Sequence, residues 1–299
     1  MPIRTGEEYI QSLRGRKIKV YLFGELVKEP VDHPMIRPSI NAVAETYNVA
    51  STSPELASAR SSLTGKEVNR FLHIAESADD LVNQNRMQRK LGQLTGTCFQ
   101  RCVGMDALNS LYSTTFEIDK KFGTAYHERF KTFVKKMQDD NLVIGGAMTD
   151  VKGDRSLSPS QQEDPDLFVH ISKRDQNGIY ISGAKAHQTG CINSHWILVM
   201  PTMRLRDEDK QYAFVGAIPA DAEGITYIYG RQSCDTRSME SGDLDAGNSK
   251  FSGQEAMIIF DNAFIPNDLI FMDGEYEFAS MLVERFTCYH RRSYVCKTG

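Results

Sequence analysis

The sequence lacks the features of membrane, secreted and nucleic-acid-binding proteins. It has no run of about 18 apolar residues, the length of a membrane-spanning helix. Its first residues lack the apolar stretch of a secretory signal peptide. The net charge of −4 argues against a general nucleic-acid binder. No internal repeat or low-complexity segment is found. We therefore expect a cytoplasmic protein whose cysteines are reduced unless they bind metal.

The composition and the local patterns predict an α+β protein. The 299 residues, 40% of them hydrophobic and 25% charged, suffice for a large core. Helical signals dominate the first part, where Thr5 and Glu8 form a capping box at the start of a helix. Strand signals follow, including a hairpin with a type I′ turn at Asn177-Gly178. We predict a helical domain over 1–140, a β domain over 141–274 and the start of a second helical region over 275–299.

Two cysteines provide half of a possible metal site. Cys98 and Cys102 are predicted to lie at the start of an inner helix over 98–120, where residues four apart share a face. The other concentration of strong ligands is His290 with Cys296. Zinc takes such a Cys3His set in structural sites, and an iron–sulfur cluster takes mostly Cys with an occasional His. The spacing leaves both open, as well as the alternative that the cysteines are small buried apolar residues.

Two polar segments offer groups for a flavin or a phosphate. The segment 147–155 leaves a strand and contributes backbone N–H groups, a hydroxyl and the Arg155 guanidinium. The segment 185–190 ends another strand and carries groups suited to the polar edge of a flavin ring. On composition alone, a solvated connecting loop is the favoured interpretation of both segments.

Several longer motifs resemble the 4-hydroxybutyryl-CoA dehydratase family, and the resemblance extends over essentially the whole chain. The motifs are Cys98–Ala107, Asp154–Arg155, Ala184–Gly190, Tyr229–Arg237, Gly253–Ala256 and Val283–Phe286. The resemblance implies an acyl-CoA dehydrogenase-like fold with N-terminal helices, a β-barrel-like middle domain and a C-terminal helical bundle. It also implies a homotetramer that acts on an acyl-CoA.

The resemblance implies a set of site residues. The implied ligands of a [4Fe–4S] cluster are Cys98, Cys102, His290 and Cys296. The implied FAD contacts are Met148, Thr149, Asp150, Asp154, Arg155, Lys185, Gln188 and Thr189. The implied catalytic residues are His290, Glu255, Tyr294 and Lys297. The implied reaction converts 4-hydroxybutyryl-CoA to crotonyl-CoA through a flavin-generated substrate radical, with the cluster as Lewis acid and a possible vinylacetyl-CoA Δ-isomerase activity.

Two other classes of function remain open. A flavin-dependent aromatic monooxygenase would need no cluster, and the CxxxC pattern with His290 argues against it. An inactive fragment or a zinc-stabilised scaffold is the second alternative. Because only the beginning of the C-terminal helical region is present, we expect the chain alone to be inactive or weakly active.

Overall fold

The computed structural model describes the backbone of residues 2–230 and 250–298, with side chains to residue 293. It has the mixed α+β composition that was predicted. The helices are α1 (Gly6–Ser12), α2 (Arg37–Thr52), α3 (Pro54–Ala57), α4 (Ala78–Thr95), α5 (Cys102–Phe122), α6 (Tyr126–Asp140) and α7 (Ala279–Thr298). The strands are β1 (Val20–Leu22), β2 (Glu25–Val27), β3 (Ser58–Arg60), β4 (Glu67–Asn69), β5 (Ile144–Ala147), β6 (His170–Arg174), β7 (Gly178–Thr189), β8 (Trp196–Val199), β9 (Phe214–Pro219), β10 (Ile225–Tyr229), β11 (Glu255–Pro266) and β12 (Ile270–Asp273). None of the described helices is long and apolar enough to cross a membrane.

The strands form open sheets and not the barrel-like domain expected from the resemblance. The larger sheet has six strands in the order β2-β1-β10-β11-β7-β6, and the second has four in the order β12-β9-β8-β5. A small third sheet pairs β3 with β4. Over the described ranges no pairing joins the two edges of either large sheet, so neither closes on itself.

Two locally encoded features appear where the sequence predicts them. Thr5 and Glu8 form the capping box of α1, with each side chain bonded to the other's backbone N–H. Strands β6 and β7 form the predicted hairpin. Its turn is not type I′, however, because neither Asn177 nor Gly178 has a positive φ. The carboxylate of Asp175 instead accepts hydrogen bonds from the N–H groups of both residues.

One large core joins the helices to the sheets. Its members come from α1 and α2, from α5 and α6, from both large sheets and from α7. A smaller core lies between α4 and the start of α5 and contains Phe71, Met87, Leu91, Phe99 and Cys102. Helix α7 packs against both α4 and α5. These contacts bring the C-terminal helix onto the part of the chain that carries the cysteine pair.

Candidate functional site

The cysteine pair does not lie on one helix, which corrects the prediction of a helix from residue 98. Helix α5 begins at Cys102, and Cys98 lies in the preceding loop. The reason is Gln100, whose φ of 69° is left-handed. Its amide nitrogen donates to the Ser39 carbonyl at 2.9 Å, and its amide oxygen accepts from Asn193 at 2.7 Å. These contacts from distant segments override the local helical pattern.

The two cysteines differ in their surroundings. Cys102 is buried in the smaller core, whereas Cys98 is partly exposed. Between them in sequence, Arg101 is almost completely buried, with its guanidinium 4.8 Å from the Tyr47 ring centroid and 5.0 Å from that of Phe71. Burial lowers the pKa of Arg101. The segment between Cys98 and Cys102 is thus fixed by the hydrogen bonds of Gln100 and the aromatic contacts of Arg101.

His290 lies against α5 through a buried carboxylate. Its Nδ1 is 2.9 Å from Asp106 Oδ2, and Asp106 is fully buried. Ser293 donates its hydroxyl to the same oxygen at 3.1 Å, and Arg292 Nη2 is 3.5 Å from the other. Cys102 and Asp106 are four residues apart on α5 and therefore share a face. His290 thus contacts the face of α5 on which Cys102 also lies.

Helix α4 contributes a second buried polar group to this region. Gln84 and Gln88 are completely buried, and Gln84 accepts a hydrogen bond from Arg292 Nη1 at 2.6 Å. The Gln84 amide nitrogen, both amide atoms of Gln88 and Arg292 Nε have no hydrogen-bond partner in the described ranges. A buried polar atom without a partner costs about 1–3 kcal/mol. The interface of α4, α5 and α7 is therefore unusually polar for a helix contact.

Some of the predicted site residues lie beyond the part of the chain whose side chains are described. They are Tyr294, Cys296 and Lys297, together with residues 231–237 of the Tyr229–Arg237 motif. Among the described residues, no group of three or more His, Cys, Asp or Glu side chains is placed to hold a metal ion.

Four of the predicted flavin contacts form a buried network. Lys185 Nζ is 2.7 Å from Asp150 Oδ1 and donates to the carbonyls of Met148 and Met200. Gln188 accepts from the Met148 N–H at 2.9 Å and donates to the Thr149 carbonyl at 2.8 Å. Burial lowers the pKa of Lys185, and the neighbouring Asp150 carboxylate opposes that shift. These side chains join the end of β5 to β7, so they connect the two large sheets at this point.

The other predicted flavin contacts lie nearer the surface. Thr149 is exposed beside the buried network, and Asp154 and Arg155 are exposed farther along the same loop. The Asp154 carboxylate accepts from the N–H and the hydroxyl of Ser156, which lowers its pKa. The predicted residues Thr149, Asp154 and Arg155 are thus accessible, in contrast to Asp150 and its partners.

Glu255 and Thr189 meet across the large sheet. The two residues are paired at the start of β11 and the end of β7, and the Thr189 hydroxyl donates to Glu255 Oε1 at 2.6 Å. Both are partly exposed. This contact places a carboxylate beside the end of the predicted flavin segment.

Sequence reasoning missed the residues that surround His290. The Cys98–Ala107 motif contains Asp106 but assigns it no role, and no sequence pattern points to Gln84, Arg292 or Ser293. One signal was available: Asp106 is a carboxylate in the middle of an otherwise apolar helical stretch, four residues after a cysteine. Its hydrogen-bond partner, His290, lies 184 positions away along the chain.

Comparison with known proteins identifies the relatives of this chain. It is 56% identical over 301 aligned residues to the 4-hydroxybutyryl-CoA dehydratase/vinylacetyl-CoA-Δ-isomerase of Clostridium aminobutyricum, covering 99% of this chain and 61% of the relative. It is 26% identical to the oxygenase component of 4-hydroxyphenylacetate 3-monooxygenase of Escherichia coli, covering 90% of this chain and 52% of the relative.

Solved structures give the same two groups. An oxygen-tolerant archaeal 4-hydroxybutyryl-CoA dehydratase from N. maritimus superposes with a TM-score of 0.97 at 76% identity, over 99% of this chain and 59% of that one. The oxygenase component of 4-hydroxyphenylacetate 3-monooxygenase in complex with FAD superposes with a TM-score of 0.81 at 20% identity, over 99% of this chain and 62% of that one. The similarity to this oxygenase component shows a shared fold and nothing more.

The chain spans about three-fifths of the length of the dehydratases that it matches. The sequence model of one family, described as 4-hydroxyphenylacetate 3-hydroxylase N terminal, matches residues 5–272. Because this match covers most of the chain and agrees with the relatives and the fold, the chain belongs to the 4-hydroxyphenylacetate 3-hydroxylase N-terminal family.

Proposed function

We propose that this chain takes part in the dehydration of 4-hydroxybutyryl-CoA to crotonyl-CoA, with FAD and a [4Fe–4S] cluster as cofactors. The observation that carries the proposal is the 56% identity, over 99% of the chain, to a 4-hydroxybutyryl-CoA dehydratase/vinylacetyl-CoA-Δ-isomerase. The vinylacetyl-CoA isomerase activity, an acyl-CoA dehydrogenase-like architecture and a homotetrameric assembly belong to the same proposal.

The residues around His290 suit a metal centre. A metal-binding histidine usually donates its other ring N–H to a carboxylate, and His290 Nδ1 contacts the buried Asp106 in this way. The unpartnered amide of Gln88 lies in the same helix interface, where hydrogen bonds to a bound polar group would satisfy it. We assign Cys98, Cys102, His290 and Cys296 as the ligands of the cluster.

The end of β7 and the loop after β5 suit a flavin. In this proposal, Met148, Asp150, Lys185 and Gln188 hold the shape of the site through their mutual contacts. The accessible Thr149, Asp154, Arg155 and Thr189 contact the flavin and its phosphates. A supporting observation is that the related oxygenase with the same fold was crystallised with FAD.

The chemistry requires removal of a weakly acidic proton and departure of a hydroxyl group. When bound, FAD would supply one-electron redox chemistry and the cluster a Lewis acid. We propose His290 as the base in the state in which its Nε2 would not be bound to the metal, since the imidazole lone pair is then available to accept a proton. Glu255 would orient the substrate from the start of β11, where the Thr189 hydroxyl donates to its carboxylate. Tyr294 and Lys297 would complete the polar groups around the acyl-CoA.

Cofactor analysis of anaerobically purified protein tests the proposal. We expect about four irons and four acid-labile sulfides per chain, together with FAD. Cys102→Ser should remove most of the iron. Cys288→Ser is the matched control, because this exposed cysteine of α7 is outside the proposed ligand set and should leave the iron unchanged.

The same measurement separates the alternatives. Flavin without iron would contradict the dehydratase proposal and favour the monooxygenase branch of the family. Zinc without flavin would favour a structural scaffold. A mass measurement by light scattering tests the tetramer separately.

A further inference from the structure

The contacts of the buried Asp106 carboxylate do more than link α5 to α7. Asp106 is completely buried on α5, and donors from α7 surround it. His290 and Ser293 contact one carboxylate oxygen, at 2.9 Å and 3.1 Å, and Arg292 contacts the other at 3.5 Å. Arg292 is itself held by Gln84 of α4 at 2.6 Å. The carboxylate is therefore fixed from three sides.

This arrangement determines which ring nitrogen of His290 carries the hydrogen. An ionised carboxylate can only accept hydrogen bonds, so the neutral His290 ring that faces it carries the hydrogen on Nδ1. The lone pair is then on Nε2, on the opposite side of the ring from Asp106. The Phe286 ring stacks on His290 with centroids 5.2 Å apart, which further restricts rotation of the imidazole.

We infer that Asp106 is a positioning residue that sets the tautomer and orientation of His290, so that the Nε2 lone pair is presented for metal binding or, when no metal is bound to it, for accepting a proton. This inference rests on the proposed function for the role of His290, but the tautomer itself does not depend on it. Arg292 and Ser293 contribute to this positioning, because they hold the Asp106 carboxylate where it contacts His290.

The test uses the tautomer of His290 in the chain before iron is added. The chain has seven histidines, and with ¹⁵N-labelled histidine, two-bond nitrogen–proton spectra report which ring nitrogen carries the hydrogen. The His290 signals are assigned by their loss in His290→Asn. In the neutral ring we expect the hydrogen on Nδ1. In Asp106→Asn the amide can donate to Nδ1, and we expect the hydrogen to move to Nε2, as happens when a histidine-orienting aspartate is replaced in a catalytic triad.

Reconstitution with iron and sulfide provides the second readout. We expect Asp106→Asn to retain iron about 10- to 100-fold more weakly than the unmodified chain, the usual effect of removing such a partner. The matched control is Glu117→Gln, which breaks the Arg285–Glu117 ion pair of the same α5–α7 interface without touching His290. It should change neither the tautomer nor the iron content.

The outcomes separate the inference from the proposed function. An unchanged tautomer in Asp106→Asn, or equal effects of Asp106→Asn and Glu117→Gln, would overturn the positioning role. If neither the unmodified chain nor any variant takes up iron, the proposed function is overturned, and with it the metal-directed part of the role of Asp106. The tautomer shift in Asp106→Asn would still establish the contact between Asp106 and His290. Circular dichroism checks folding, and if Asp106→Asn does not fold, Asp106→Ser, with room for water, provides the same comparison.

Discussion

At the scale of single residues, the ion pair of Lys185 and Asp150 is almost entirely removed from water. The two side chains are 2% and 5% exposed and 2.7 Å apart. Asp150 also accepts from the Val169 N–H and the Thr202 hydroxyl. A buried charge of this kind persists because all of its partners are supplied by the fold.

Removing one partner of this pair should be costly. We expect Lys185→Met to lower the free energy of unfolding by about 3–5 kcal/mol, because Asp150 remains buried without its cation. The comparison is Arg14→Ala, which breaks an exposed ion pair with Asp32 that solvent screens, and this variant should lose far less stability. Urea denaturation of both variants measures the difference, and equal losses would contradict the interpretation.

His195 should make stability depend on pH. Burial lowers its pKa to about 3, with Arg16 and Arg101 adding to the effect. Its Nδ1 accepts from the Val143 N–H at 3.0 Å, and its Nε2 lies 2.9 Å from the Ser12 hydroxyl. The unfolded chain, with an ordinary histidine pKa of about 6.5, binds the proton more readily. The contribution of His195 to stability is therefore full above that pH and is lost as the pH falls toward 3.

Replacing this histidine should flatten the pH profile of stability. Between pH 6.5 and 4, His195→Asn should reduce the slope of unfolding free energy against pH by about 1.4 kcal/mol per pH unit. The amide oxygen of the variant can still accept from Val143. The unmodified chain gives the reference profile, and a profile of His195→Asn parallel to it would show that His195 does not titrate as its burial implies.

At the scale of elements, the loop before α5 depends on the turn after β7. Gly190 has a φ of 71°, and a Cβ added there would lie 2.7 Å from Gln100 Cβ. The two left-handed residues therefore pack directly against each other. Together with the hydrogen bonds of Gln100, this contact fixes the course of the chain between Cys98 and Cys102.

Gly190→Ala should disturb this loop more than backbone strain alone predicts. Gly123 has a nearly identical φ of 69° and open space around its α-carbon, so Gly123→Ala measures the conformational cost, about 1–2 kcal/mol. We expect Gly190→Ala to lose an additional 1–3 kcal/mol or so, because the methyl group overlaps Gln100. Thermal or urea unfolding measures the stability lost in each variant. Equal losses would mean that the loop adjusts to the added methyl group without further cost.

At the scale of the whole molecule, the three predicted segments share one hydrophobic core. Buried residues from 1–140, 141–274 and 275–299 belong to the same cluster. The single tryptophan, Trp196 on β8, packs edge-on against Phe133 of α6, with ring centroids 5.6 Å apart. It therefore reports on the contact between the helical and β segments, and the predicted division into domains stays a prediction.

We expect the helical and β segments to unfold together in urea. Tryptophan fluorescence follows the β8–α6 contact, and far-ultraviolet circular dichroism follows mainly the helices. Because a shared core couples the segments, the two midpoints should coincide. Phe133→Leu, which weakens the core at this contact, should shift both midpoints equally. Separate midpoints would establish independent domains with the predicted boundaries.

Features with local causes could be predicted from the sequence. The capping box at Thr5 and Glu8 needs only neighbouring residues, as does the reversal between β6 and β7. The predicted turn type was wrong because the Asp175 carboxylate accepts hydrogen bonds from the backbone N–H groups of Asn177 and Gly178. These bonds hold the turn in another conformation. The start of α5 was wrong because Gln100 bonds to segments far away in sequence.

The sequence alone determined the order of the main helices and strands and the chemical inventory of the candidate site, because periodicity, capping and residue type are local properties, but it did not indicate the short strands β1–β4 within the first part. It also carried the motifs through which the family is identified. Only the tertiary structure decided that Cys98 precedes the helix, that the strands form open sheets and that His290 meets a buried Asp106. Each of these depends on contacts between distant segments, whose burial and hydrogen bonding outweigh local preference.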